Sequence, residues 1–211
     1  MRVSAFPTDE TFPHRWQAEV LEARPLILPS RHFTYPREVE EVERGALELL
    51  IKPGAAGLDS ETGESRNPRS SQASTQPFLA TCALGFRDPA VPTGIWSAPN
   101  PDQICAVSGG YAYIIDTTAP ERFTMIPYRP VMEVRALPDA GLLLFVGNRT
   151  ILAWAAKGQQ WESERLSNEG LTISAVENEV LRGMGWRMMA DKDIPFAIDL
   201  RTGRSIPAIG A

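Results

Sequence analysis

From residue 78 onward, turn-forming residues cut the chain into short apolar runs. Stretches rich in β-branched and aromatic residues recur near 78–84, 94–98, 103–108, 111–116, 123–127, 131–137, 142–147, 150–155, 161–166, 171–176, 180–185 and 195–200. Between them lie Gly109-Gly110, Pro138-Asp139-Ala140-Gly141, Gly147-Asn148 and Thr202-Gly203. Punctuation this dense leaves little room for helices but suits antiparallel strands joined by tight turns. Sixteen glycines and eighteen prolines in 211 residues add to that argument, since an average chain gives the two together about 12%. The expectation is an all-β fold of antiparallel meanders.

The first third has a different texture. Prolines 7, 13, 25, 29 and 36 interrupt every candidate helix in residues 1–36, leaving a short run at Trp16–Leu21 and the apolar segment Pro25–Pro29. Proline offers no amide donor to a helix interior or a central strand, so 1–36 is expected to be an irregular, proline-rich segment. A strand is expected at about 46–52, behind an acidic approach containing Glu38, Glu40, Glu41 and Glu43. Residues 53–77 carry almost no large apolar side chains and read as a long polar loop, ordered or disordered. The length suits one domain over 1–211.

Three segments within the β-rich part are alike. Ile104–Asp116, Leu142–Trp154 and Leu181–Asp199 each hold an apolar strand, a connection and a second apolar strand. A turn-former follows each endpoint by four residues: Pro120, Gly158 and Gly203. The endpoints lie 38 and 45 residues apart, and four-stranded propeller blades repeat at about 40–50 residues. The ending Asp199-Leu200-Arg201-Thr202-Gly203 is similar to an Asp-x-x-Thr-Gly turn common in such blades. Residues 94–206 therefore resemble β-propeller repeats. The resemblance implies radially packed four-stranded sheets with a loop-built binding face. About three blades are countable, and strands near 46–52 and 78–84 offer an irregular fourth. An open meander arc and a β-sandwich are the alternatives.

Charge narrows the partner classes. Lys and Arg number 21 against 26 Asp and Glu, for a net charge of −5, the wrong bulk field for a general nucleic-acid or anionic-membrane binder. No apolar stretch approaches the length of a membrane span, and the first ten residues contain no signal-peptide core. A cytoplasmic protein is expected. Cys82 and Cys105 each sit in an apolar run and are expected to be buried free thiols.

The chemistry-bearing residues form no familiar catalytic pattern. His14 and His32 are the only histidines, and two isolated histidines with two isolated cysteines make no zinc site. Ser108-Gly109-Gly110 lacks the first glycine of a nucleophile elbow, and no glycine-rich turn runs into Gly-Lys-Ser/Thr. No catalytic residue, metal or cofactor is expected. Asp191, Asp193 and Asp199 are the best acid–base candidates for a carboxylate-dependent hydrolase of a sugar-like ligand. Asp116 and Asp199 also read as turn caps that accept backbone N–H groups.

Aromatic residues beside arginine favour binding hot spots. Trp96, Arg135, Arg149, Arg182 and Trp186 are thus the candidate binding residues in the loop-rich zone. The function expected from these features is a binding or protein-interaction module. Its partner would be another protein, or a second copy paired through an edge strand.

Overall fold

The computed structural model describes residues 6–37, 44–54 and 76–207. The acidic approach segment and most of the polar stretch 53–77 lie outside them. Seventeen strands form four sheets, and the described chain is all-β. No helix among the described residues is long and apolar enough to cross a membrane.

The first sheet is assembled from the N-terminal part. It contains β2 (Trp16–Leu21), β3 (His32–Tyr35), β4 (Ala46–Pro53) and β5 (Phe78–Ala83), in the order β2-β4-β5-β3. β3 runs parallel to β5 and the other pairs are antiparallel. The expectation of an irregular 1–36 segment is therefore corrected. The prolines fall between the ladders, so β2 and β3 each pair over their full length. Pro7 even contributes its carbonyl, which accepts the Ile95 N–H at 3.0 Å beside the short strand β1 (Thr8–Asp9).

The other three sheets follow chain order. β6 (Gly94–Ser97), β7 (Gln103–Ser108), β8 (Tyr111–Asp116) and β9 (Phe123–Met125) form the second sheet, with β1 added in parallel at the edge. The third contains β10 (Glu133–Leu137), β11 (Leu142–Val146), β12 (Ile151–Ala155) and β13 (Gly158–Glu162). The fourth contains β14 (Leu171–Glu177), β15 (Val180–Arg187), β16 (Lys192–Asp199) and β17 (Ser205–Ile206). The largest boundary differences from expectation are at β13 and β16. β13 begins at the Gly158 turn rather than at 161, because that tight hairpin starts pairing at once. The polar connection after Arg187 shrinks to a single 3-10 turn, Met188–Ala190, so β16 starts at Lys192.

Period-two alternation dictates how the sheets stack. Ile104, Ala106, Tyr113 and Ile115 face Leu47, Leu49, Ile51 and Phe78 of the first sheet. Cys105, Val107, Ala112 and Ile114 face Leu143, Phe145, Leu152 and Trp154 of the third. The opposite side chains of the third sheet, among them Leu144, Ile151 and Trp161, meet Ile173, Leu181, Phe196 and Ile198 of the fourth. The two middle sheets are apolar on both faces, which explains why β7, β8, β11 and β12 are continuous apolar runs rather than alternating ones.

An indole N–H ties each interface. Trp16 donates to the Gln103 carbonyl at 3.0 Å, Trp154 to the Gln103 side-chain oxygen at 3.1 Å, and Trp161 to the Leu200 carbonyl at 2.6 Å. Buried aromatic residues thus combine large apolar contact with a satisfied polar edge.

Candidate functional site

The sheets place their connections at two ends with different chemistry. At one end are the segments Ala98–Asp102, Asp116–Arg122, Pro138–Gly141, Asn178–Glu179 and Asp199–Arg204. Here Asp102, Asp116 and Asp199 are engaged. Asp116 accepts the Thr118 and Ala119 N–H groups at 2.9 and 3.1 Å, and Asp199 accepts those of Arg201 and Thr202 at 2.9 Å each. Both aspartates are the turn caps expected from sequence. Burial acts to raise the Asp199 pKa, but hydrogen bonds from the Thr202 hydroxyl and two backbone amides, with the Arg201 charge, bring it below its ordinary value. Asp102 and Asp116 also pair with Arg15 and Arg122, each at 2.8 Å.

The other end carries a cleft of about 670 Å³. Its walls come from the segment between β9 and β10, the β11–β12 hairpin, the β13–β14 loop and the end of β15. Backbone hydrogen bonds join these walls. Arg149 O accepts the Leu166 N–H at 2.8 Å, and Trp186 O accepts the Asn168 N–H at 2.8 Å. The Asn168 side chain accepts the Met188 N–H at 3.1 Å, and the Ser167 hydroxyl donates to Trp186 O at 3.0 Å. The scaffold is therefore fixed before any ligand arrives.

Arg129, Arg149 and Arg165 line this cleft, against one lining carboxylate, Glu169. Arg149 Nε donates to the Asn168 carbonyl at 3.1 Å, and Arg165 Nε donates to the adjacent Ser167 carbonyl at 3.0 Å. Consecutive carbonyls of one loop thus orient two guanidinium groups through their Nε atoms. Neither they nor Arg129 has a carboxylate within 4.0 Å among the described residues. Arg129 lies over the Tyr111 ring, 5.3 Å from its centroid.

Beneath the arginines, Tyr128 donates to Glu162 at 3.0 Å and accepts from Thr150 at 2.9 Å. Burial raises the Tyr128 pKa above its ordinary value, the Thr150 hydrogen bond opposes that, and Glu162 adds to it. The phenol stays protonated and anchors the floor. The Tyr128 ring also packs over Gly147, where an added Cβ would approach it to 3.0 Å.

Of the five binding candidates read from sequence, Arg149 and Trp186 meet at this cleft. Trp96 is a correction: it is buried between the second and third sheets and presents no surface. Arg135 ion-pairs with Glu133 at 2.6 Å on β10. Arg182, with its neighbour Leu181 in the core, stands on the opposite face of the fourth sheet. The missed residues are Tyr128, Arg129, Arg165, Asn168 and Met188. Pro127 and Pro130, which flank Tyr128 and Arg129, were the available signal of a shaped loop.

Asp191, Asp193 and Asp199 do not gather. Asp193 and Asp199 lie near opposite ends of β16, about 20 Å apart at the rise of a strand. Asp191 is exposed at the far side of the 3-10 turn. Both cysteines are buried, and burial raises their thiol pKa values, helped by Glu48 at Cys82 and by Cys82 at Cys105.

No family model and no curated protein matches the chain. Among solved structures, the chain is similar to a chain in the S. cerevisiae structure of Dbp5 bound to Nup159, Gle1, IP6 and ADP. The identity is 10% and the TM-score 0.30, covering 96% of this chain and 53% of that one. The chain thus spans about half the length of that neighbour, and a likeness at this score carries no argument.

Proposed function

We propose that the chain is a binding module, with its four sheets as blades of a propeller-like array and the arginine-lined cleft as the surface that meets a partner protein. The observation that carries this reading is the cleft itself. Loops associated with three successive sheets line it, neighbouring walls are bonded to each other, and its cations are oriented without a carboxylate partner among the described residues. A preorganised polar surface with aromatic neighbours avoids much of the ordering cost of association.

Chain order supports the blade reading. Three sheets hold β6–β9, β10–β13 and β14–β17 in succession, and the three segments alike in sequence supply their central hairpins. The first sheet serves as the irregular fourth blade. Core clusters join the first sheet to the second, the second to the third and the third to the fourth. Among the described residues none joins the fourth to the first, which favours an arc over a ring.

Site-specific photocrosslinking tests the binding role. A benzophenone amino acid replaces Met188, which is 63% exposed at the cleft, and in a second protein replaces Asp139 at the opposite end. The Met188 probe is expected to give one saturable adduct that excess unlabelled chain abolishes and that purified partner reproduces. Equal adducts from both probes, or none from Met188, would overturn the assignment of this face.

A further inference from the structure

The character of the cleft narrows its ligand. The chain carries a net charge of −5, so its bulk field repels acidic partners. The cleft departs from that field, with three arginines lining it against Glu169 alone. The other nearby carboxylate, Glu162, is engaged by Tyr128 and Thr150. These arginines add nothing through ion pairing to the described fold, in contrast to Arg15, Arg122 and Arg135. The Nε groups of Arg149 and Arg165 are already held by the Asn168 and Ser167 carbonyls. Such docking points the planar forks and leaves Nη donors for an oxyanion, which guanidinium groups bind in a bidentate manner. Next to them, Trp186 and the exposed Met188 add apolar surface, while Asn148 and Asn168 supply amides. Charge, amides and apolar contact in one open cleft match a polypeptide segment better than a free inorganic ion.

We infer that the cleft takes an acidic segment of a partner protein, whose carboxylate or phosphoryl oxygens lie against Arg149 and Arg165, with Arg129 at the rim. This inference rests on the binding-module reading and specifies its ligand.

Three fluorescein-labelled peptides of equal length provide the test by anisotropy. One alternates Glu with Ala and Leu, a second has Gln at each Glu position, and a third has phosphoserine there. The Glu or phosphoserine peptide is expected to bind, the Gln peptide is not, and added salt weakens binding by screening. Arg149→Gln and Arg165→Gln each weaken it about tenfold, the scale of one charge-assisted hydrogen bond. Arg201→Gln, at the opposite end, leaves it unchanged. Tighter binding of the phosphoserine peptide, with displacement by inorganic phosphate, assigns a phosphoryl ligand. Equal or tighter binding of the Glu peptide assigns carboxylates. All three replaced arginines are exposed, so matched thermal melts confirm that each variant folds.

Binding of the Gln peptide as tight as the Glu peptide, or an equal loss in Arg201→Gln, would overturn the inference. Failure of both anionic peptides while the Met188 adduct persists in Arg149→Gln and Arg165→Gln overturns the acidic-segment inference and leaves the binding module standing. Failure of the peptides and of the adduct together removes both.

Discussion

Gly203→Ala tests whether the interface between the third and fourth sheets is as tightly specified as its geometry implies. Gly203 has φ of +71°, and a Cβ added there would lie 2.7 Å from two carbons of the Trp161 ring. Two costs follow. A left-handed conformation costs an L-residue about 1 kcal/mol or somewhat more. The overlap is the second cost. Trp161 is buried, and its N–H is bonded to Leu200 O at 2.6 Å. Moving the ring away strains or breaks that bond, and overpacking of this kind costs about 1–3 kcal/mol. The sum is about 3 kcal/mol.

Gly141→Ala is the matched control. Gly141 has φ of +63°, and its added Cβ would meet nothing within 4 Å, so only the conformational cost of about 1 kcal/mol applies. Urea unfolding of both variants gives the comparison, with stability read from the midpoint and slope together. The expected gap between them is about 2 kcal/mol. If Gly203→Ala is no worse than Gly141→Ala, the ring does not hold the turn in the way described.

Two further outcomes follow from titratable groups. Cys82 and Cys105 are buried with raised thiol pKa values, so a thiol reagent at neutral pH should modify neither in the folded chain and both in urea. Fast modification of either in native buffer would contradict the packing. Asp199 has its folded pKa below the ordinary value near 3.8. Its contribution to stability is present above that value and is lost as pH falls through the folded pKa. Carbon-detected NMR should find its carboxyl titrating below ordinary aspartates, and a midpoint at or above 3.8 would refute the turn cap.

Local signals made the later hairpins readable. β7–β8 closes on Gly109-Gly110 and β11–β12 on Gly147-Asn148, so an apolar run, a turn pair and another apolar run suffice. In the first sheet, β4 and β5 were expected near 46–52 and 78–84, but β2 and β3 offered no such clue. β2 pairs with β4 about thirty residues later, and β3 pairs in parallel with β5 across more than forty, so nothing local marks either as a strand. The prolines read as an irregular segment because proline marks where a ladder stops without telling whether one exists. The site divides in the same way. Arg149 and Trp186 were visible as an arginine in a tight turn and a tryptophan near a strand end. Tyr128 depends on Glu162, which is 34 residues away, and Arg165 sits in what read as strand but lies beyond the end of β13 at Glu162.

The two ends of the array differ in how their charges are settled. At the end bearing Asp102, Asp116 and Asp199, each carboxylate has an arginine or a backbone amide, so the turns satisfy themselves and ask nothing of a ligand. Exposed ion pairs of that kind add little stability; their effect is to offset the charges of Asp102 and Asp116 locally. At the other end, backbone carbonyls hold Arg149 and Arg165 by Nε alone. A carbonyl orients a guanidinium without neutralising it. Conversion of Glu169, the cleft's lining carboxylate, to Gln removes its opposing charge and should tighten the acidic peptide. Conversion of Asp139 to Asn at the opposite end removes the same charge and should leave affinity unchanged. Equal tightening by both would mean that net charge, rather than the oriented arginines, governs binding.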